Sequence, residues 1–173
     1  MTNKKLTIKR GFTLIELLVV ISIIGLLAVL VATNLNEARA RARDSKEKQD
    51  IGQVKTALRL YYNDFGGYPA TGNGTAFNAC GNLGTTSCNV NNPWTAGSTT
   101  YMNQLPLTSD NTNFEFKYYP CNAEDSFRLV VTLENASDPD IAVSQNNRCP
   151  AASCTLTSGT LSYGSTDYVV CAD

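Results

Sequence analysis

The chain has 173 residues and a formal net charge of -1, with 43% hydrophobic and 17% charged residues. This length allows one globular domain plus an appendage, and the composition is sufficient for a buried core. The chain contains no histidine, so it lacks the side chain that most often acts as a general base or a zinc ligand.

The charges are distributed unevenly along the chain. Residues 1–11 contain four basic residues and no acid, whereas residues 66–173 contain three basic and nine acidic residues. Because binding to nucleic-acid phosphates requires clustered Lys and Arg, we expect no direct nucleic-acid binding.

The first predicted element is a long apolar helix that starts at Phe12. Of the 21 residues from Phe12 to Ala32, 17 are apolar, and a helix of that length spans roughly 31 Å, about the thickness of the hydrocarbon core of a bilayer. A buried helix of a soluble core is disfavoured because the run is apolar on every face. A secretory signal peptide is disfavoured because the run exceeds its usual hydrophobic length. We therefore predict a transmembrane helix over residues 12–33.

Glu16 is an acidic residue inside this apolar run. A carboxylate in hydrocarbon must find a cation nearby or take up a proton. One interpretation is an acid tolerated at the membrane interface. Another is a contact with Phe12 on the same helix, four residues earlier.

The segment KRGFTLIELLVVISIIGLLA resembles the N-terminus of type IV pilin-like proteins, which include type IV pilins and type II secretion pseudopilins. The resemblance implies that residues 1–11 are a leader, that a prepilin peptidase cleaves between Gly11 and Phe12, and that Phe12 is then N-methylated. It also implies that Glu16 faces the Phe12 amine of a neighbouring subunit in a filament. The family often has a proline at the position of Thr33, which puts a fixed helix break there in doubt.

Residues 34–65 continue the helix into water. Glu37 and Arg41, and likewise Asp44 and Lys48, are spaced as i, i+4 ion pairs. An apolar stripe then follows, which predicts one face packed on a domain; it comprises Ile51, Val54, Leu58, Tyr61 or Tyr62, and Phe65. The pair Gly66-Gly67 and the following Pro69 predict the end of the helix at Phe65.

Residues 66–173 are predicted to form a C-terminal globular domain. A Gly-, Asn- and Thr-rich loop region comes first, with Trp94 packed in the core rather than serving as a ligand platform. Strands are predicted over 113–120, 127–134 and 166–173 from their alternating or β-branched composition. The expected fold class is α+β: a long N-terminal helix packed on a small antiparallel sheet with disulfide-closed loops, which is the type IV pilin fold.

All six cysteines lie in this domain, at Cys80, Cys88, Cys121, Cys149, Cys154 and Cys171. Their even number, without a CxxC pair, favours disulfides in an oxidising compartment over a zinc site. Basic residues flank the apolar run on both sides, so the cysteines decide the orientation: the C-terminal domain is expected outside the cytoplasm. Of the possible pairings, we predict Cys80–Cys88, Cys149–Cys154 and Cys121–Cys171.

Few other residues indicate ligand chemistry. Asp138 and Asp140 in the turn 134–141 are interpreted as solvated acids rather than calcium ligands, because the spacing is not that of an EF-hand. Asn73 and Asn135 fit the glycosylation pattern. No catalytic constellation is present, so we expect no enzyme activity, no cofactor and no metal.

The expected function is structural. The resemblance implies a bacterial subunit held in the inner membrane and then polymerised with copies of itself, with the prepilin peptidase, an assembly ATPase and a platform protein as partners. Two destinations remain open, a type IV pilus at the cell surface and a type II secretion pseudopilus in the periplasm. A membrane-anchored enzyme is the alternative from a different class.

Overall fold

The computed structural model describes residues 11–70, 77–89, 92–107, 113–156 and 159–172, with side chains of residues 30–34 left out. The chain divides into two compact units, the first ending at Arg39 and the second beginning at Ala40. The predicted leader before Gly11, and Asn73 of the first glycosylation pattern, lie outside the described residues.

Helix α1 runs from Leu14 to Phe65, a length of 52 residues. It begins two residues later than predicted and continues through position 33, where the sequence has threonine instead of the family's proline. Its predicted end is confirmed. Gly66 adopts a left-handed φ of 73°, and its N–H donates to the carbonyl of Tyr62 at 2.8 Å, a conformation that glycine adopts at little cost.

In the second unit, the apolar stripe of α1 forms part of the main core. Ile51, Val54, Leu58 and Tyr61 are buried, which confirms the predicted helical spacing. Phe65 is the exception, because it is 39% exposed and stacks on Tyr61 with the ring centroids 4.4 Å apart. One face of this part of α1 therefore packs on the domain.

The first strands form a hairpin that the sequence did not predict. Strand β1 is Trp94–Ala96 and pairs antiparallel with β2, Thr99–Met102. Trp94 is fully buried, and its Nε1–H donates to the carbonyl of Ala79 at 2.8 Å. Its ring contacts those of Tyr61, Phe77 and Tyr101. The predicted packing role of Trp94 is confirmed.

The three predicted strands form the second sheet. Strands β3 (Lys117–Cys121), β4 (Ser126–Thr132) and β5 (Asp167–Cys171) are antiparallel in the order β3-β4-β5. Because side chains alternate along the central strand, Phe127, Leu129 and Val131 face the main core. Val130 faces the opposite side, where it packs with Cys149, Val169 and Cys171 in a second, smaller core.

The segment after β4 contributes to both cores, with Ile141 in the main core and Cys149 in the smaller one. Helix α2 spans Pro139–Val143 and is capped by the Asp138 side chain, which accepts from the Asp140 N–H. A π-helical turn over Ser144–Arg148 and a 3-10 turn over Ala151–Ser153 follow. Sequence reasoning missed these three short elements. The observed architecture is the predicted α+β class and fits the type IV pilin fold.

All six cysteines lie in the described residues and are paired, but only Cys80–Cys88 has the predicted partner. The other bonds are Cys121–Cys154 and Cys149–Cys171, so the predicted pairs Cys149–Cys154 and Cys121–Cys171 are wrong.

The hydrogen bonds around Cys154 give the physical reason. Asn122 donates its N–H to the Thr155 carbonyl at 2.8 Å, and its Oδ1 accepts from the Thr155 N–H at 3.0 Å. These bonds hold Cys154 at the end of β3, while Cys149 packs under β5 beside Cys171. The two cysteines of the short turn are therefore directed to different strands.

Candidate assembly site

The predicted cleavage site lies just before α1. Phe12 is 90% exposed, and no atom lies within 4 Å of where a Gly11 side chain would begin. The peptide bond between Gly11 and Phe12 precedes the first helical residue, Leu14. Phe12 and the space beside Gly11 are therefore open to solvent in this structure, and cleavage between them stays a prediction.

Glu16 and Thr13 form reciprocal hydrogen bonds at the start of α1. The Glu16 carboxylate accepts from the Thr13 N–H at 2.8 Å and from the Thr13 hydroxyl at 2.7 Å. In return, the Glu16 N–H donates to the Thr13 hydroxyl oxygen at 3.3 Å. This is a capping box, with Thr13 as the N-cap and Glu16 three residues later. The signal T-x-x-E is present in the sequence but was overlooked there.

The capping box holds the Glu16 carboxylate at the N-terminal end of α1. The helix N-terminus carries a partial positive charge, which favours a carboxylate and disfavours a cation. A free amine at Phe12 would lie one residue from Thr13, and the carboxylate of Glu16 is already directed to that end of the helix. The contacts described for the Glu16 carboxylate are with Thr13, so its pairing with a Phe12 amine stays a prediction.

The apolar run of α1 is unpaired in the isolated chain. Large apolar side chains from Phe12 to Val29 are exposed, and the Ser22 hydroxyl donates to the Leu18 carbonyl of the same helix at 2.8 Å. Among the residues whose placement is described, no helix is both long and apolar enough to count as a membrane span.

In the second unit, three side chains of α1 bind the segment 134–140. Asp44 is 2% exposed, and its two carboxylate oxygens accept the N–H groups of Glu134 and Asn135 at 2.8 and 2.9 Å. Arg43 binds Glu134 through two hydrogen bonds, which lower the pKa of Glu134. Arg43 and Asp44 thus bind the domain, although the Arg43 side chain is still 55% exposed.

Lys48 is the third of these side chains. Its ammonium lies 2.6 Å from Asp138 and 2.8 Å from Asp140, and 5.3 Å from the centre of the Tyr168 ring. Burial acts to lower the pKa of Lys48, but the hydrogen bonds to Asp138 and Asp140 outweigh it and raise the pKa. The predicted helical pairing of Asp44 with Lys48 is therefore replaced by contacts of both residues with the domain.

The same geometry corrects the interpretation of Asp138 and Asp140 as solvated acids, because both bind Lys48 and the Asp138 side chain is only 16% exposed. Their carboxylates face an ammonium group instead of an open site, and Asp138 also caps α2. In the described part of the chain, no group of three or more acidic, Cys or His side chains is arranged to hold a metal ion. Asn135, of the second glycosylation pattern, uses its side-chain oxygen to accept the Ser137 N–H at 3.2 Å.

Two acidic side chains, Glu47 and Glu115, lie close together near Asp44. Burial, together with the nearby Glu115 and Asp44 carboxylates, raises the pKa of Glu47 to about 7. Burial also raises the pKa of Glu115. One carboxylate oxygen of each is buried without a hydrogen-bond partner, so the folded domain favours protonation of this pair.

The N-terminal segment and the fold together define a chain similar to the type IV pilin-like proteins. Residues 7–32 match the family model described as the prokaryotic N-terminal methylation motif, which confirms the resemblance inferred from the sequence.

Comparison with characterised proteins gives relatives of two kinds. The chain is 46% identical over 66 residues to the type II secretion system core protein G of Escherichia coli, covering 38% of this chain and 46% of that protein. It is 30% identical over 130 residues to the type IV major pilin protein PilA of Myxococcus xanthus, covering 69% of this chain and 51% of that protein. The chain thus spans about half the length of these relatives. No solved structure gives a significant match.

Proposed function

We propose that this chain is a structural subunit of a bacterial type IV pilus-like filament. The observation that carries the proposal is the N-terminal methylation motif at residues 7–32, placed on a helix whose second half forms the core of a disulfide-bonded α+β domain. Processing of that motif leaves a long apolar helix joined to a folded head, which is the form of subunit that can be stored in a membrane and then polymerised.

In this proposal, the leader 1–11 is removed by a prepilin peptidase and Phe12 becomes the methylated N-terminus. Residues 12–33 anchor the subunit in the inner membrane, 34–65 form the soluble half of the helix, and 66–173 form the head outside the cytoplasm. An assembly ATPase and a platform protein then drive polymerisation with other copies. The head is proposed outside because its three disulfides require an oxidising compartment.

Glu16 has a defined role in the proposal. Before assembly its carboxylate is held by Thr13, and in the filament it receives the positively charged Phe12 amine of a neighbouring subunit. Two opposite charges in an apolar layer attract strongly because little solvent screens them. The pair fixes the position of the incoming subunit along the helix bundle.

The first candidate for the filament that contains this subunit is a type IV pilus. The match to the type IV major pilin covers 69% of this chain, so it must extend past α1 into the head, whereas the matches to protein G cover about 40%. The second candidate is a type II secretion pseudopilus, which is favoured by the higher identity of that shorter match, 46%. Loss of surface filaments in a strain without this chain would support the first, and loss of protein export would support the second.

The Glu16→Val variant tests the filament proposal. We expect it to be inserted and cleaved after Gly11 like wild type, yet to be depleted in sheared filaments or cross-linked multimers relative to the membrane pool. Ser22→Val is the matched control, because it also replaces a polar residue of the apolar run by valine but removes no charge. Normal filaments from Glu16→Val would refute the role of the acid.

Processing is tested separately by mass spectrometry. The mature chain should begin at N-methyl-Phe12, and a bulky residue at position 11 should leave precursor in the membrane. An intact leader on assembled wild-type protein, or cleavage after Ala32, would refute the proposed processing. A structural role, in place of a catalytic one, predicts that activity screening of the purified chain finds no turnover.

A further inference from the structure

A groove with basic residues at its rim lies between α1 and the free side of β5. We call it the basic groove; it has a volume of about 560 Å³ and is lined by Lys48, Gly52, Lys55, Arg148, Cys149 and residues 168–172. No acidic side chain is among these described lining residues. Lys48 is paired with Asp138 and Asp140, and Arg148 is exposed at the rim. The lining therefore supplies basic side chains and no acid, with Arg148 as the exposed basic group, whereas residues 66–173 as a whole contain three basic and nine acidic residues.

Gly52 lines the groove and has no side chain to fill it. It lies in the interior of α1, where glycine destabilises a helix relative to alanine. No atom lies within 4 Å of where its Cβ would be, so packing within the subunit does not require glycine. The missing side chain leaves space on the groove side of the helix, as a close approach by another molecule would need.

The turn between β3 and β4 carries a complementary charge. We call residues 122–125 the acidic tip; all four are exposed, and the last two are Glu124 and Asp125. Asn122, Ala123 and Glu124 have φ values of 56°, 56° and 72°, a left-handed conformation that costs energy in residues other than glycine. A strained backbone of this kind persists only where neighbouring groups hold it in place.

Hydrogen bonds from neighbouring residues hold the backbone of the acidic tip in place. Asn122 exchanges two hydrogen bonds with Thr155, the Glu124 carbonyl accepts the Tyr68 N–H at 2.9 Å, and Asp125 accepts the Tyr62 hydroxyl at 3.2 Å. The tip is thus a projection with a fixed backbone, and ordering it on binding costs little entropy.

We propose that the acidic tip of one copy of this chain binds in the basic groove of another copy. Charge complementarity favours a second copy as the occupant, since the chain supplies both surfaces. Because the groove and the tip are different patches, each copy can use both at once. Such a head-to-tail contact builds an open helical array when the rotation does not close. The inference rests on the proposed filament function and adds a contact between heads to it.

The test measures association of full-length copies. A tagged and an untagged copy are expressed together, membranes are solubilised in detergent, and the untagged copy recovered with the tagged one is quantified. Gly52→Trp should fill the groove and lower recovery about tenfold, and Gly52→Ala should leave it unchanged. Arg148→Glu and Glu124→Lys should each lower recovery about tenfold through like-charge contacts. Combining them in every copy should restore recovery to within about threefold of wild type.

Controls separate this contact from misfolding and from the filament proposal. Lys117→Glu makes the same charge change as Arg148→Glu on an exposed residue outside the groove and should have no effect, and the three disulfides should form in every variant. Three results would each overturn the inference. The groove and tip variants could all give wild-type recovery, the combined charge changes could fail to restore recovery, or wild-type copies could fail to associate. If Glu16→Val abolishes assembly while these variants do not, the filament proposal stands and this contact is refuted. If these variants lower recovery while Glu16→Val assembles normally, this contact stands and the role of Glu16 is refuted.

Discussion

Replacing Asp44 by alanine should destabilise the domain more than any exposed substitution on α1. Asp44 is 2% exposed, and its carboxylate accepts two backbone N–H groups at 2.8 and 2.9 Å. A hydrogen bond to a charged group contributes roughly 1.5–3 kcal/mol, and each buried N–H left without a partner adds a cost. We therefore expect Asp44→Ala to lower the free energy of unfolding by about 3–5 kcal/mol, a large part of the roughly 5–15 kcal/mol of a typical domain.

Trp94 provides the signal for the measurement. It is the single tryptophan of the chain and is fully buried, so its fluorescence reports unfolding of the head in urea with the full chain held in detergent. With a slope of roughly 1–3 kcal/mol per molar urea, the midpoint should fall by about 2 M. Asp44→Asn keeps one acceptor oxygen and should cost about half as much.

Asp50→Ala is the control for the loss of a helix carboxylate. Asp50 lies on the same helix and forms an i, i+4 pair with Lys46 at 3.7 Å. Such an ion pair is worth about 0.3–0.5 kcal/mol, so the midpoint should change little. If Asp44→Ala unfolds within about 1 kcal/mol of wild type, then the two backbone bonds do not hold the segment 134–135 to α1.

Three further predictions concern the pH response, the disulfides and the helix start. The pKa of Glu47 is about 7 in the folded state, above its ordinary value of 4.5, so the folded state binds an extra proton between these values. Stability should therefore fall as pH rises through that window, and Glu47→Gln should make the urea midpoint depend less on pH. Peptide mapping without reduction should recover peptides in which Cys121 is linked to Cys154 and Cys149 to Cys171. A peptide that links Cys149 to Cys154 would contradict the structure. Thr13→Val should cost about 1 kcal/mol in the first turn of α1, seen as faster hydrogen exchange at the Glu16 amide, while Thr13→Ser should exchange like wild type.

Sequence reasoning succeeded where a single periodicity decided the structure. The spacing of Ile51, Val54 and Leu58 predicted the buried face of α1, and the Gly66-Gly67 pair predicted its end. The alternating or β-branched segments predicted β3, β4 and β5. In each case neighbouring residues carry the signal, and the core they form is the one observed.

Contacts between residues distant in the sequence were not predictable in the same way. Asp44 was interpreted as the partner of Lys48, since both lie on one helix four residues apart. It instead binds backbone groups 90 and 91 residues later, which no local pattern records. The hairpin β1–β2 was missed because its strands have three and four residues, and it lies in a region rich in loop-forming residues. Its stability comes from the burial of Trp94 against other elements.

The disulfide pairing connects the fold to the compartment in which it forms. The smaller core, on the side of the sheet opposite the main core, is a cluster of four buried residues, Val130, Cys149, Val169 and Cys171. So small a cluster buries little apolar surface. The bonds Cys121–Cys154 and Cys149–Cys171 close segments with sequence separations of 33 and 22 residues, and each such cross-link stabilises by about 3–4 kcal/mol. The cross-links therefore hold this layer on the sheet, and a head that depends on them must mature where thiols are oxidised. That requirement is independent of the N-terminal motif, and it supports the proposal that the head lies outside the cytoplasm.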